Sequence, residues 1–503
     1  MAAAAGLLFL LLGALLPGQN LEEFEKRVTE FTLDNGMHFI VIERHQAPVV
    51  SFHALVNSGA VNDPGGKTGL AHMFEHMIGK GTMRVGSNNW PEEERALRTI
   101  EKTYDALEAE RRKGQLADER RLKALEEELD AAIKAADRYV VQNEFPRVIE
   151  QNGGVGFNAG TGLDSTQYFY SLPANRMELW FLLQSEWFRR PVYREFYKER
   201  DVVREERRMR IESSPVGKLQ EALMTAAFVA HPYKSIVGWA SDIENLRATD
   251  AALFHETYYV PSNITIAVSG DVDPKQVRAL AERYYGRLPR GEMPPGVVTV
   301  EPEQYGERRV VVESPTQPYI MIGYRRPDQN HPDDPVFDVI SGILASGRTG
   351  ILYKEMVRDS KVALAAGTAA AFPAAKYPNL FLLYAVPNMG KTVAENEEAI
   401  YGILDRLKTG KVDDETLQRV KTKVRAGVIR QLDSNAGLAS TLTYYHVNYG
   451  DWRVLFKSID IIGAVTADDV QRVAREYFVP KQRTVAWHVQ PNAGDSAAKE
   501  NAE

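Results

Sequence analysis

The chain has 503 residues, more than one hydrophobic core organises, which points to two or more domains. Its 44% hydrophobic and 26% charged residues belong to a folded globular protein and exclude a disordered one. A net charge of -7 argues against a nucleic-acid partner, because phosphate binding calls for a basic surface, and the absence of cysteine excludes disulfides.

Residues 2–17 form an apolar run, too short for a comfortable membrane span, and read as the core of a secretory signal. Residues 1–20 are therefore expected to be a signal peptide and the protein periplasmic or secreted. No other segment is long and apolar enough to cross a bilayer, so no stable membrane association is expected.

Residues 28–56 alternate in a β pattern, with a hairpin turn marked by Asp34-Asn35-Gly36. They lead through Asp63-Pro64-Gly65-Gly66 into Gly69-Leu70-Ala71-His72-Met73-Phe74-Glu75-His76, followed by Gly81-Thr82. Histidines four apart share one face of a helix, and Glu75 stands beside them. Two imidazoles can hold Zn²⁺ while a third ligand comes from elsewhere, and the carboxylate is left to handle the proton of an activated water. The order H-x-x-E-H is the inverse of H-E-x-x-H and is a zinc-peptidase signature.

Residues 91–142 are dense in charge and alanine. Leu97, Ile100, Tyr104 and Leu107 make one helical stripe, and Leu122, Leu125 and Leu129 another, so a helical hairpin turning near Lys113-Gly114-Gln115 is expected. The charge density favours a solvated spacer packed on itself over a functional arm.

The glycine-rich Gly153-Gly154-Val155-Gly156-Phe157-Asn158-Ala159-Gly160-Thr161 precedes the alternating residues 166–173 and fits equally a strand edge able to take up an extended peptide and an ordinary glycine-rich turn between strands. A charged helix follows, in which Glu199 and Glu206 share a face with Val202 and Val203, while Glu205 is turned away by about 100°. Such a pair can supply a ligand and an orienting group, or be a solvated, salt-bridged face.

The second half repeats the first. Tyr258-Tyr259-Val260-Pro261-Ser262-Asn263-Ile264 is echoed by Tyr477-Phe478-Val479-Pro480-Lys481-Gln482-Arg483, each after a helical stretch and before an alternating strand. A Pro/Gly-rich stretch around residues 288–296 reads as the linker between the copies. The expected layout is an N-terminal domain at 21–285 with the 91–142 insertion, a linker at 286–307, a homologous domain without a metal motif at 308–490, and a disordered tail at 491–503.

The 72–76 motif with Gly81-Thr82, the Asn158-Ala159-x-Thr161 segment and the Glu199-Arg200-Asp201-Val202-Val203-x-x-Glu206 helix, in that order, resemble the pitrilysin/insulinase family of zinc peptidases. The resemblance implies an α+β fold of two homologous α/β sandwich domains, each a mixed sheet packed by helices, forming one half of a clamshell. It implies one Zn²⁺ per chain held by His72, His76 and Glu206, with Glu75 as general base. Glu199 matches the family's auxiliary glutamate, and Asn158 with Ala159 its substrate-binding edge strand. The implied function is that of the catalytic subunit of an endopeptidase that hydrolyses unfolded peptides inside a chamber. The alternative is a catalytically idle assembly or docking subunit of the same fold.

Two departures stand out. The gap from His76 to Glu206 exceeds the family's by about the length of the 91–142 segment, which marks that segment as an insertion. In the second half, Arg358 matches a substrate-contacting arginine, but the tyrosine expected seven residues on is Ala365. The resemblance then implies a heterodimer, with a related subunit lacking zinc that supplies the arginine-tyrosine pair.

Overall fold

The computed structural model describes residues 17–490. Nearly all of the expected signal peptide, and the tail at 491–503, lie outside them. Among the described residues, strands form two mixed sheets. The first has the order β1-β2-β6-β3-β5-β4, built from β1 (Val28–Thr32), β2 (His38–Glu43), β3 (Val49–Val56), β4 (Val155–Thr161), β5 (Thr166–Pro173) and β6 (Ile264–Gly270). The second has the order β7-β11-β8-β10-β9, built from β7 (Arg308–Glu313), β8 (Ile320–Arg326), β9 (Ala363–Phe372), β10 (Asn379–Pro387) and β11 (Arg483–Val489).

Setting β1 aside, the two orders correspond strand for strand. Each has one parallel pair, β2 with β6 and β7 with β11, and each leaves the strand before its second hairpin arm, β4 or β9, at the outer edge. The echoed Pro-x-x turns, Pro261–Asn263 and Pro480–Gln482, deliver the chain into β6 and β11. The sequence repeat is thus a repeat of topology.

β1 and β2 meet at the expected hairpin, where Gly36 has φ +97 and a Cβ would crowd Ser262 Cβ at 3.0 Å. Along β3 and β5, alternate residues point into a layer of helices, and Phe52 stacks on Trp180 at 4.6 Å. The opposite face of the first sheet is covered by a helix from the second half, Asn435–Tyr449. Its Leu438, Ala439 and Leu442 pack with Ile40, Ile42 and Ala267. Reciprocally, helix Pro215–Ala227 of the first half lies on the second sheet, with Leu219 and Leu223 against Met321, Leu382 and Ala486. Each half therefore buries one sheet face with a helix of the other. The segment at 286–307 contains no regular element and joins them.

The insertion forms a helical hairpin, Trp90–Arg111 and Glu119–Asp137, turning at Gly114 with φ +57. It is not a spacer packed only on itself. Glu93 from its first helix forms a buried ion pair with Arg194, at 0% and 1% side-chain exposure, and the guanidinium also donates to Thr82 O at 3.2 Å and Val85 O at 3.3 Å. Tyr197 Oη donates to Glu101 at 2.8 Å, Lys198 to Asp137 at 2.7 Å and Arg200 to Tyr104 Oη at 3.1 Å. Charge runs on a helix are usually solvated, but here a subset is aimed at the helix that carries Glu206.

Candidate metal centre

The 72–76 motif lies on a short helix, Leu70–His76, between β3 and the insertion. The helix begins at Gly69, whose φ is +88 and where a Cβ would meet Val237 O at 2.4 Å, so a side chain is excluded there. The Asp63 carboxylate accepts the N–H of Gly69 at 2.7 Å and of Ala71 at 2.8 Å, satisfying donors that the helix start would leave unpaired. Burial pushes that carboxyl up to about 7, against the pull of these amides.

His72 Nε2 and His76 Nε2 lie 3.3 Å apart, with the rings nearly perpendicular at 85°. Glu206, from the helix Phe196–Arg207, places Oε2 3.4 Å from His76 Nε2 and 3.6 Å from His72 Nε2. Ligands about 2.0–2.1 Å from a tetrahedral zinc lie about 3.3–3.4 Å from one another, so these atoms are spaced as three corners of such a site. The residues present fit the ion that the resemblance implies.

The electrostatics favour a cation at this point. Burial pulls His76 down, but hydrogen bonds to Glu199 and Glu206 outweigh it and raise this imidazole to about 9. The hydrogen bond to His76 holds Glu206 below the usual carboxylate range. Burial, with His76 beside it, lowers His72. Burial also raises Glu75, whose Oε2 accepts a hydrogen bond from Thr161 Oγ1 at 3.2 Å.

Further groups hold the ligands in place. Glu199 accepts from His76 Nδ1 at 2.9 Å and is itself 2.6 Å from Lys80 Nζ. After Glu206 the helix widens into a π turn, Arg208–Glu212, and Arg210 Nη2 lies 2.8 Å from Glu206 Oε1. Glu205 points outward to Arg208, as its angular offset from Glu206 predicts. Val203 is buried on the ligand-bearing side, whereas Val202, expected on the same face, is exposed. Lys80, Thr161 and Arg210 were not assigned roles from sequence. Thr161 lies within the 158–161 segment and Lys80 immediately precedes Gly81-Thr82, but Arg210 carries no signal beyond helical spacing from Glu206.

Asn158 and Ala159 lie on β4, whose outer edge has no strand partner among the described residues. Asn158 Oδ1 accepts the Ala159 N–H at 2.9 Å. Arg358 is not brought to this centre. It sits in the π-helix Tyr353–Asp359 before β9, exposed and paired with Asp359, and Ala365 is on β9 itself.

A second set of ligand-type residues, Glu30, His38 and His446, lies where β1 and β2 meet helix Asn435–Tyr449. Its imidazoles stack in parallel at 3.9 Å and 2°, so their in-plane lone pairs do not converge, and Arg453 already places a cation 2.9 Å from Glu30. It lacks the geometry of the first set.

Residues 245–424 match the family profile described as the Peptidase M16 inactive domain, a stretch that begins after the whole 72–206 cluster. "Zinc protease PqqE" of Helicobacter pylori is 26% identical over 495 residues, covering 96% of this chain and 97% of its own. A solved structure of a protease from Helicobacter pylori matches with a TM-score of 0.76 at 26% identity, over 92% of this chain and 99% of that one. The periplasmic protease PqqL from Escherichia coli shares the fold at 15% identity, with a TM-score of 0.67, over 94% of this chain but 48% of its own. In sequence and in its half-clamshell fold, the chain is therefore similar to M16 zinc proteases over nearly its whole length.

Proposed function

We propose that the chain is the zinc-bearing, catalytic subunit of an endopeptidase acting on unfolded peptides. The observation that carries this is the convergence of His72 Nε2, His76 Nε2 and Glu206 Oε2 within 3.3–3.6 Å of one another, beside a protonatable Glu75 and a free strand edge. The names of the zinc proteases to which the chain is similar support it.

In this reading His72, His76 and Glu206 hold one Zn²⁺. When bound, the ion supplies Lewis acidity that draws charge from the scissile carbonyl and eases the ionisation of water. Glu75 accepts the water's proton and returns it to the leaving amine, and its burial-raised pKa suits a group that must both take and give a proton. Thr161 fixes the carboxylate from β4, and Glu199 fixes the His76 ring through Nδ1. The β4 edge at Asn158 and Ala159 holds the peptide by main-chain hydrogen bonds, which any sequence can make.

The arginine-tyrosine pair comes from elsewhere. Arg358 stands apart from the metal centre, and Ala365 occupies the tyrosine position. The chain covers half of PqqL, which is in keeping with a second half-clamshell as partner. A related subunit without zinc, forming a heterodimer that closes the chamber, supplies the pair. An exported, periplasmic location goes with the leader at residues 1–20 and with the compartment named for PqqL.

The idle-subunit alternative draws on the inactive-domain match at 245–424, and one experiment separates the two. Zinc content and chelator-sensitive cleavage of a quenched peptide are measured for the wild type and Glu75→Gln, with and without the co-purifying partner. Zinc retained in both, with turnover lost in Glu75→Gln by about 10²–10⁴-fold, supports the peptidase. Zinc without turnover under any condition supports the idle subunit. Full activity of the isolated chain, unaltered by the partner, removes the heterodimer.

A further inference from the structure

The free edge of β4 passes the metal centre at Thr161 and runs away from it towards Val155. Its register with β5 fixes the direction of its side chains. Ala159 and Thr161 stand opposite Tyr168 and Thr166, on the face covered by the motif helix. Val155, Asn158 and Gly160 stand opposite Ser171, Phe169 and Gln167, on the other face. A bulge between Val155 and Asn158 keeps both on that second face, and within it Gly156, at φ +67, leaves open space where a side chain would project.

On this second face helix Asn435–Tyr449 covers β3 and β6 but scarcely reaches β5. The uncovered corner is a cavity of about 460 Å³, floored by His53 and Phe169, walled by Ala436 and Ser440, and opening at Gly156. No Asp, Glu, Lys or Arg lines it. His53 has both ring nitrogens engaged, Nε2 with Gln167 at 2.9 Å and Nδ1 with Thr443 at 2.8 Å, so it presents only a ring face, near-parallel to Phe169 at 6.0 Å. The serines are likewise bonded, Ser51 Oγ with Ser171 Oγ at 2.8 Å and Ser440 Oγ donating to Gly437 O at 3.1 Å, so an uncharged cavity of this size suits an apolar occupant.

We propose that this cavity is a specificity pocket for one large apolar side chain of the peptide laid along β4. The proposal rests on the peptidase reading above. A strand added at an edge turns alternate side chains to each face, and one facing away from the metal meets bare backbone at Gly156 and then the cavity. Antiparallel addition, the stronger pairing, runs the peptide from Thr161 towards Val155 in N-to-C order. The selected residue is then C-terminal to the cleaved bond, about three to five positions beyond the residue facing Thr161. Residues nearer the metal are left free to vary.

The test uses the zinc-loaded, full-length Glu75→Gln protein together with its co-purifying partner, a complex that binds without turnover, and fluorescence anisotropy with twelve-residue Ser/Thr/Ala peptides. A single Phe is moved through each position. The quantity read is the ratio of Kd for the Phe-free peptide to Kd for each Phe peptide. The expected result is a ratio of about ten or more in one narrow window, falling to about one in both Ala436→Trp and Ser440→Trp, each confirmed folded by circular dichroism. Leu116→Trp, at the exposed tip of the insertion hairpin, keeps the ratio. Peptides that bind with no favoured window, or a ratio that survives both pocket-filling variants, overturn the pocket and leave the peptidase reading standing. Failure to bind any peptide overturns the two together.

Discussion

Arg210 Nη2 lies 2.8 Å from Glu206 Oε1, while the other oxygen of the same carboxylate, Oε2, stands 3.4 Å from His76 Nε2. One oxygen is thereby held from outside and the other presented inward. Outer groups of this kind commonly alter metal affinity by about 10–100-fold, and because Arg210 is largely exposed the low end applies. Arg210→Ala is expected to weaken zinc binding about tenfold in competition with a chromophoric chelator, and Arg210→Lys to recover part of it. Unchanged affinity in Arg210→Ala would show that the contact does not orient Glu206.

Loading zinc should release a proton. Against the pull of burial, hydrogen bonds to Glu199 and Glu206 raise His76 to about 9, so without a bound cation it is protonated at neutral pH, and a cation ligated by Nε2 must displace that proton. Calorimetric titration at pH 7 in two buffers of different ionisation enthalpy is expected to report about one proton released per zinc. Glu206→Gln removes a ligand and one of the groups that raise His76, so both zinc affinity and proton release should fall.

Glu93 and Arg194 form a fully buried ion pair that ties the insertion to the loop following the motif helix. Removing one partner strands the other's charge, at a cost of about 3–5 kcal/mol. Glu93→Gln and Arg194→Met are each expected to lower the melting temperature strongly, and the double variant Glu93→Gln/Arg194→Met by less than their sum. Additivity would mean that the two side chains are not energetically coupled.

Two buried histidines make stability depend on acidity. Burial pushes His53 and His255 down from 6.5 to about 4. Between those values the unfolded chain holds protons on these rings that the folded chain does not, so stability falls as the pH drops from about 6.5 towards 4. The loss is about 3 kcal/mol per ring at the acid end. Denaturant melts at pH 7 and pH 4.5 should differ accordingly, and His53→Gln should shrink the difference. An equal pH dependence in that variant would place the acid sensitivity elsewhere.

Much of the fold was legible in the chain. The Asn35-Gly36 hairpin, the strand-helix succession around residue 72 and the repeated Pro-x-x turns are local patterns, and local geometry enforces them. The insertion hairpin was readable from its stripes, but its docking was not. Glu93 looks like any other residue in a charge run until Arg194, 101 positions away, lies against it. The same holds for Val202 and Val203, which share a helix face by periodicity but differ in burial because a neighbouring surface covers only one of them.

By itself the sequence determined which residue types could bind a cation and move a proton, because a four-residue spacing on a helix is set by backbone geometry alone. It offered Glu199 and Glu206 as a facing pair without deciding between a ligand and a solvated face. Tertiary structure decided that Glu206 Oε2 reaches both histidines, that Glu199 reaches the far side of one ring, and that Arg358 reaches neither. It also decided that each sheet is covered by a helix of the other half. These are contacts across about 80 residues or more, fixed by how buried faces of separate elements pack, and no spacing within either element encodes them.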